Sequence, residues 1–329
     1  MKRITYPICS KSLSHFCEVH NLKSREKYNK IININPFDVT LSYGLYNLPN
    51  HKQNDYQLND KIKLYNNLID NYNIKNIELG MVNLKFSSII NNPIFNDTIE
   101  LLNNVEYIFL NSFNKEMNNY VLVRETTNLS HSKYELIHML SSGVQNFSFT
   151  LSNIYNFQKQ QNLSKIKQFN QLYNLLLFIQ DLPPLNLKKN IELYSTDKPF
   201  NIRLYIDYEY HTPISEIISH LLYLHKFHID KICIVDRHGK MKKTDLIFLL
   251  EHIAKKSHIE QFSLQLHCNK ENENNVEELF HIALDYGINE FNTIENILYK
   301  DPTRDKNIIP VLNYKTYYKF LANYLICKN

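Results

Sequence analysis

A chain of 329 residues and 39.3 kDa, with 43% hydrophobic and 21% charged residues, has ordinary globular composition, which excludes disorder over most of its length and leaves apolar material for a large core. The formal charge of +4, from interleaved Lys, Arg, Asp and Glu, is too small to demand a nucleic-acid or membrane partner. No run approaches the roughly 18 apolar residues of a membrane span or forms a secretory core, and five cysteines without a CxxC pair suit a reducing compartment, so a cytoplasmic protein is expected. Heavy use of Asn, Ile, Lys and Tyr, with no Trp, is the bias of an AT-rich genome such as that of a parasite or large DNA virus, and it explains runs such as "ENENN" without a low-complexity function.

Residues 1–30 precede any regular pattern and read as an N-terminal extension. From residue 31 onward short apolar runs alternate with stretches of helical period, the pattern of a parallel sheet covered by helices. The first strand is expected at 31–36, followed by "FDVTLSYGLYNLP" (37–49), a helix at 58–72 and a second strand at 74–80. "VEYIFLNSF" (105–113) has the composition of a strand, but counting it would give nine, so it is assigned to the connection after strand two. Strands at 119–125 and 144–151 flank a helix at 131–142, and a helix at 163–180 precedes a long loop, 181–199. The remaining strands fall at 200–208, 230–236, 259–267 and 288–294, with helices at 214–227, 243–256 and 276–287 between them. Residues 301–329, with the amphipathic "YKTYYKFLANYLI", read as a closing helix. Eight strands alternating with helices give a TIM (β/α)8 barrel over residues 31–329 as one domain. Gly143 and Gly287 each close a helix ahead of a strand, whereas Gly44 and Gly239 each follow a strand. That second side, at the carboxyl ends of the strands, carries the chemistry of such barrels, so "LSYG", "VDRHG" and "LHCN" share one rim.

From about residue 30 to 295 the order of these segments resembles the 3-hydroxy-3-methylglutaryl-CoA (HMG-CoA) lyase family of metal-dependent lyase and synthase barrels, also described as pyruvate carboxyltransferase-like. "FDVTLSYGLYN" is similar to a first-strand motif ending in Arg-Asp-Gly-Leu-Gln, and "IKNIELGMVN" to a second-strand "IE" with a small-residue turn. "IDKICIVDRHGKMKKTDL" and "LQLHCNKENENNVEELFHIALDYGINEFNT" resemble the later strands, with an Asp-Thr-x-Gly turn and a His-x-His motif. The resemblance implies chemistry in which an Asp, two His and an Asn hold Mg²⁺ or Mn²⁺, an Arg steadies the enolate of a broken carbon–carbon bond, and a loop cysteine assists. Carried onto this chain, the Arg position is Ser42 and the metal Asp position is Tyr43, whose phenol is a poor ligand for a hard cation. His267 keeps the first His; the second is Asn269. "NTIENILYKDPTRDKN" holds neither the Gly-rich loop nor its Cys.

These departures lead to the expectation of a degenerate member that binds no metal or other cofactor and serves as a catalytically inactive binding or scaffolding protein. The alternative is a carbon–carbon lyase or aldolase-type enzyme with metal-independent chemistry on an acyl-CoA or hydroxy acid, moving protons through Tyr43, Glu78, Asp236 or His267. Glu78 and Asp236 stand at strand ends, as functional groups or as hydrogen-bonding groups of the rim. Asp38 either replaces the lost Asp or binds backbone. His267 and Cys268 point to opposite faces of a strand, which disfavours a shared Zn²⁺ and favours an inward, unliganded His267. His220, His225 and His228 crowd one helix, where only the last pair has ligand spacing. Lys240, Lys242 and Lys243 enter a helix from a rim turn, either as a site for an anion such as the phosphates of a CoA-like ligand or as a solvated charge run. Analogy with the family adds a homodimer.

Overall fold

A computed structural model of the chain describes residues 34–72, 74–81, 93–110, 117–123, 129–150, 165–180, 200–208, 214–224, 227, 229–295 and 309–327. Eight parallel strands close into a barrel in chain order: β1 (Asn35–Asp38), β2 (Asn76–Met81), β3 (Asn118–Leu122), β4 (Asn146–Thr150), β5 (Asn201–Asp207), β6 (Lys231–Asp236), β7 (Phe262–Leu266) and β8 (Glu290–Thr293), with β8 pairing back onto β1. The helices are α1 (Asn50–Gln53), α2 (Leu58–Tyr72), α3 (Thr98–Leu110), α4 (Leu129–Ser141), α5 (Lys165–Gln180), α6 (Ile214–Leu224), α7 (Lys243–Ala254), α8 (Glu273–Tyr286) and α9 (Tyr314–Cys327). The expected TIM barrel with a C-terminal closing helix is therefore what the chain forms. Two local expectations need correction, and one holds. The first strand lies at Asn35–Asp38, later than 31–36. The strand-like "VEYIFL" lies in the connection after strand two, as expected, and forms the end of α3, whose apolar residues Leu101, Leu102 and Val105 are buried. Residues 259–261 form a 3₁₀ turn ahead of β7 rather than its start. The N-terminal extension, the 181–199 loop, the segment after β8 (296–308), His225, His228 and the side chain of His220 lie outside the described residues.

The strands expose every second residue to the barrel lumen, and in this chain many of those residues are polar. Five strands begin with asparagine, whose amide both donates and accepts. Asn118 donates to Asn76 Oδ1 (2.9 Å), Asn76 to Glu290 Oε2 (3.1 Å), Asn201 to Asn146 Oδ1 (2.6 Å) and Asn146 to the Asn119 carbonyl (3.1 Å). This belt ties the amino-terminal ends of neighbouring strands together. Above it Arg203, 1% exposed, pairs with Glu290 (2.5 Å), donates to Ser263 Oγ (3.1 Å) and Asn292 Oδ1 (2.5 Å), and stacks its guanidinium 3.6 Å from the centre of the Phe37 ring. A buried cation survives because each of these groups replaces part of its lost hydration.

Two further features shape the carboxyl-terminal end. β2 bulges between Glu78 and Gly80, where Gly80 has φ 136° and a Cβ would lie 2.7 Å from the Phe95 ring, so glycine alone fits. β7 and β8 are in register only at Leu264 and Phe291. Above that point the returning chain fills the seam: Cys268 N–H donates to Pro310 O (2.8 Å), Leu312 N–H to Leu266 O (2.9 Å), Ile294 N–H to Leu312 O (3.1 Å) and Tyr314 N–H to Ile294 O (3.2 Å). The segment satisfies backbone groups that the splayed strands would otherwise bury unpaired. Helix α9 then docks through stacked rings, Tyr314 lying 3.8 Å from Tyr72 at an interplanar angle of 5°.

Candidate functional site

The rim at the carboxyl ends of the strands is where a barrel places its chemistry, and three of the sequence-derived segments meet there. After β1 the chain makes a π-helical turn, Thr40–Gly44, with Gly44 N–H donating to Val39 O (2.9 Å). Asp38 starts it. One carboxylate oxygen accepts from Thr40 N–H (2.9 Å), and the other from Thr40 Oγ1 (2.8 Å) and the Tyr314 hydroxyl (2.7 Å). Asp38 therefore binds its own turn and the closing helix. Burial outweighs these donors and lifts its carboxyl to about 7. Ser42 is buried, its Oγ 3.4 Å from Val39 O. Tyr43, 3% exposed, sets its ring edge-on to His267, centres 5.6 Å apart and planes at 82°.

His267 extends just beyond β7 and is fully buried. Its Nδ1 lies 2.6 Å from Ile309 O and its Nε2 3.0 Å from Gln265 Nε2. A carbonyl only accepts and an amide nitrogen only donates, so Nδ1 carries the proton and the Nε2 lone pair is already used. Cys268 is buried and points away, its thiol pushed up to about 12 by burial, which makes it inert at neutral pH. Asn269 Oδ1 accepts from Glu271 N–H and Asn272 N–H, both at 3.0 Å, and Asn272 Oδ1 accepts from Asn269 N–H (2.7 Å). This reciprocal turn leads into α8 and consumes the Asn269 side chain in the turn itself.

Glu78 is fully buried in the lumen and accepts from the Tyr205 hydroxyl (2.9 Å). Asp236, at the end of β6, accepts from Lys240 N–H (3.0 Å) and Met241 N–H (3.1 Å), and burial raises its carboxyl to about 6. The turn it organises needs Gly239, with φ 59° and a would-be Cβ only 2.9 Å from His267 O. Lys240, Lys242 and Lys243 do sit where that turn enters α7, Lys242 standing just before its first residue. The Asp236 carboxylate already takes amides an anion would use, and Lys243 Nζ lies 3.5 Å from Glu278.

The mouth thus brings together Tyr43 and His267, and places Glu78 with Tyr205; Asp236 and Asn269 serve their own turns. Among the described residues no three His, Cys, Asp or Glu side chains are placed to share a metal ion. Sequence reasoning missed Tyr205, Gln265, Asn292 and Arg203. The available signal was polar residues at alternate positions of otherwise apolar strands, Arg203-Tyr205-Asp207 and Ser263-Gln265-His267, which marks a polar lumen.

An HMG-CoA lyase from Pseudomonas aeruginosa matches 89% of this chain and 86% of its own at a TM-score of 0.64 and 16% identity. The fold is that of the HMG-CoA lyases. The Bacillus subtilis HMG-CoA lyase matches 88% of this chain and 86% of its own at 0.61 and 17%. A third, from Acinetobacter baumannii in complex with coenzyme A and 3-methylmalate, matches 88% and 83% at 0.59 and 15%. No protein-family model and no curated protein matches the sequence. No helix among the described residues is long and apolar enough to cross a membrane.

Proposed function

We propose that this barrel is a binding or scaffolding protein that takes a small anionic or acyl-CoA-like ligand at its mouth without a metal and without cleaving it. One observation carries the reading: among the described residues of the mouth, Glu78, Asp236, His267 and Asn269 are each committed to a partner inside the protein. Glu78 holds Tyr205, Asp236 holds its turn amides, Asn269 holds the turn before α8, and both nitrogens of His267 are engaged. The donor set does not fit Mg²⁺ or Mn²⁺, which need several converging oxygens; the lyase position for an Asp holds the phenol of Tyr43, packed against His267. The Acinetobacter relative, solved with coenzyme A, supports a thioester-type ligand, and Lys240 and Lys242 would meet its phosphates. In this reading the chain would act as a homodimer in the cytoplasm.

A second reading rests on the Glu78–Tyr205 pair, a carboxylate and a phenol in one buried contact, which could move a proton in a metal-independent aldolase-type reaction. The N-terminal domain of a putative aldolase from Bacteroides vulgatus shares the fold at 16% identity and a TM-score of 0.56.

The test is elemental analysis of the purified protein, then calorimetry with coenzyme A, then incubation with HMG-CoA and added Mn²⁺. We expect no stoichiometric metal, a measurable coenzyme A affinity and no acetoacetate. Acetoacetate that requires Mn²⁺ overturns the proposal. Acetoacetate without metal, abolished in Glu78→Gln, establishes the second reading instead.

A further inference from the structure

Inside the lumen four side chains form a hydrogen-bonded chain whose two ends are chemically fixed. Arg203 Nη2, which can only donate, lies 2.5 Å from Asn292 Oδ1. Asn292 Nδ2 donates to Gln265 Oε1 (2.7 Å), Gln265 Nε2 reaches His267 Nε2 (3.0 Å), and His267 Nδ1 reaches the Ile309 carbonyl (2.6 Å), which can only accept. Amide orientations and imidazole tautomers are normally open to reversal. Here reversal fails at each member. A flipped Asn292 would turn its NH₂ toward the guanidinium, and a flipped Gln265 would turn its NH₂ toward that of Asn292. A proton moved to Nε2 of His267 would face the Gln265 NH₂ and leave Nδ1 bare against a carbonyl oxygen. The cation at one end and the carbonyl at the other therefore dictate a single direction of donation, and each bond polarises the next.

We propose that this one-way chain holds His267 as the neutral Nδ1–H tautomer with its Nε2 lone pair occupied. Its role is to tie the 309–313 segment into the β7–β8 seam, and not to ligate an ion or carry a proton. Gln265 is the positioning residue, because its amide presents a donor to Nε2. The His267–Ile309 contact lies beside the Cys268 N–H to Pro310 O and Leu312 N–H to Leu266 O bonds, so the returning chain is pinned through backbone and side chain together. Arg203 thereby links the salt bridge to Glu290 with closure of the opposite end of the barrel. This assignment goes beyond the proposed function and stands whether the mouth binds or turns over its ligand elsewhere.

Long-range ¹H–¹⁵N NMR of the full chain at neutral pH tests it, with His267 assigned among the 14 histidines by the signal lost in His267→Gln. We expect a protonated Nδ1 and an unprotonated, hydrogen-bonded Nε2. An Nε2–H tautomer, or an imidazolium, overturns the proposal. Gln265→Glu keeps the acceptor for Asn292 but replaces the donor with an acceptor, so His267 should gain a second proton; an unchanged tautomer overturns the role given to Gln265. In His267→Ala the amides of Cys268 and Leu312 should exchange about tenfold faster or more, with those of β2 unchanged, and unaltered protection there overturns the tether. Where Gln265→Glu fails to fold, the wild-type spectrum decides. Mn²⁺-dependent turnover with the Nδ1–H tautomer intact would defeat the proposed function and leave this inference standing.

Discussion

The two ends of the barrel both bury polar side chains, but they satisfy them differently. At the amino-terminal end and in the lower lumen the partners come from distant parts of the chain: Asn76 with Glu290, Arg203 with Glu290 and Asn292, Asn146 with Asn201. At the mouth the partners are mostly a few residues away: Asp38 with Thr40, Asn47 with Tyr43, Asp236 with Lys240 and Met241, Asn269 with Glu271 and Asn272. Long-range pairs hold strands to strands. Local pairs shape turns, and a side chain spent on its own turn is not offered to a ligand. At the mouth the described polar groups are mostly turned back on the backbone.

That contrast can be broken from either side. The largest effect is expected at the lower end, where Arg203→Met leaves Glu290 buried without its cation and should cost about 3–5 kcal/mol in urea unfolding. Adding Glu290→Gln should recover much of that loss, and a purely additive double variant would show that the pair is not coupled. At the mouth Gly239→Ala forces a left-handed backbone on alanine and presses its Cβ on His267 O, so a loss of about 1–3 kcal/mol is expected from the same measurement.

Asp38 sharpens the comparison through pH. Its folded-state carboxyl, raised to about 7, holds the proton more tightly than the unfolded chain, so its contribution favours folding at low pH and is lost as pH rises from about 4 through 7. Asp236, raised to about 6, acts in the same direction over a lower window. Melting temperatures of wild type should therefore fall between pH 5 and 8 relative to those of Asp38→Asn, whose curve should be flatter; parallel curves would disprove the linkage. The smallest effect is expected at Tyr317, which is fully buried against Phe280 and Phe291 with its hydroxyl hydrogen-bonded to no described group. Tyr317→Phe should be neutral or stabilising by up to about 1 kcal/mol, and a clear destabilisation would reveal a partner for that hydroxyl.

Much of the mouth was legible before the fold was known, because turn chemistry is local. "FDVT", "VDRHG" and "HCNKEN" place Asp or Asn where a side-chain oxygen can accept from amides two to five residues on, and the structure uses all three in that way. Asp38 binding its own backbone, and His267 facing inward away from Cys268, follow from the same local rules. The strand-like run at 105–110 is placed by the strand count rather than by its own pattern, because periodicity over so short a window cannot separate a buried helix from a strand.

By itself, then, the sequence determined the alternation of strands and helices, the count of eight, and the side of the barrel on which the turns gather. Each of these depends on neighbours within about ten residues. Only the tertiary structure decided that Tyr205 answers Glu78, that residues 310–313 enter between β7 and β8, and that Arg203 reaches His267 through Asn292 and Gln265. Apart from Gln265 and His267, two positions apart, those pairings join residues tens to more than a hundred positions apart. Closing the barrel sets their distances, and burial then compels each polar group to find a partner.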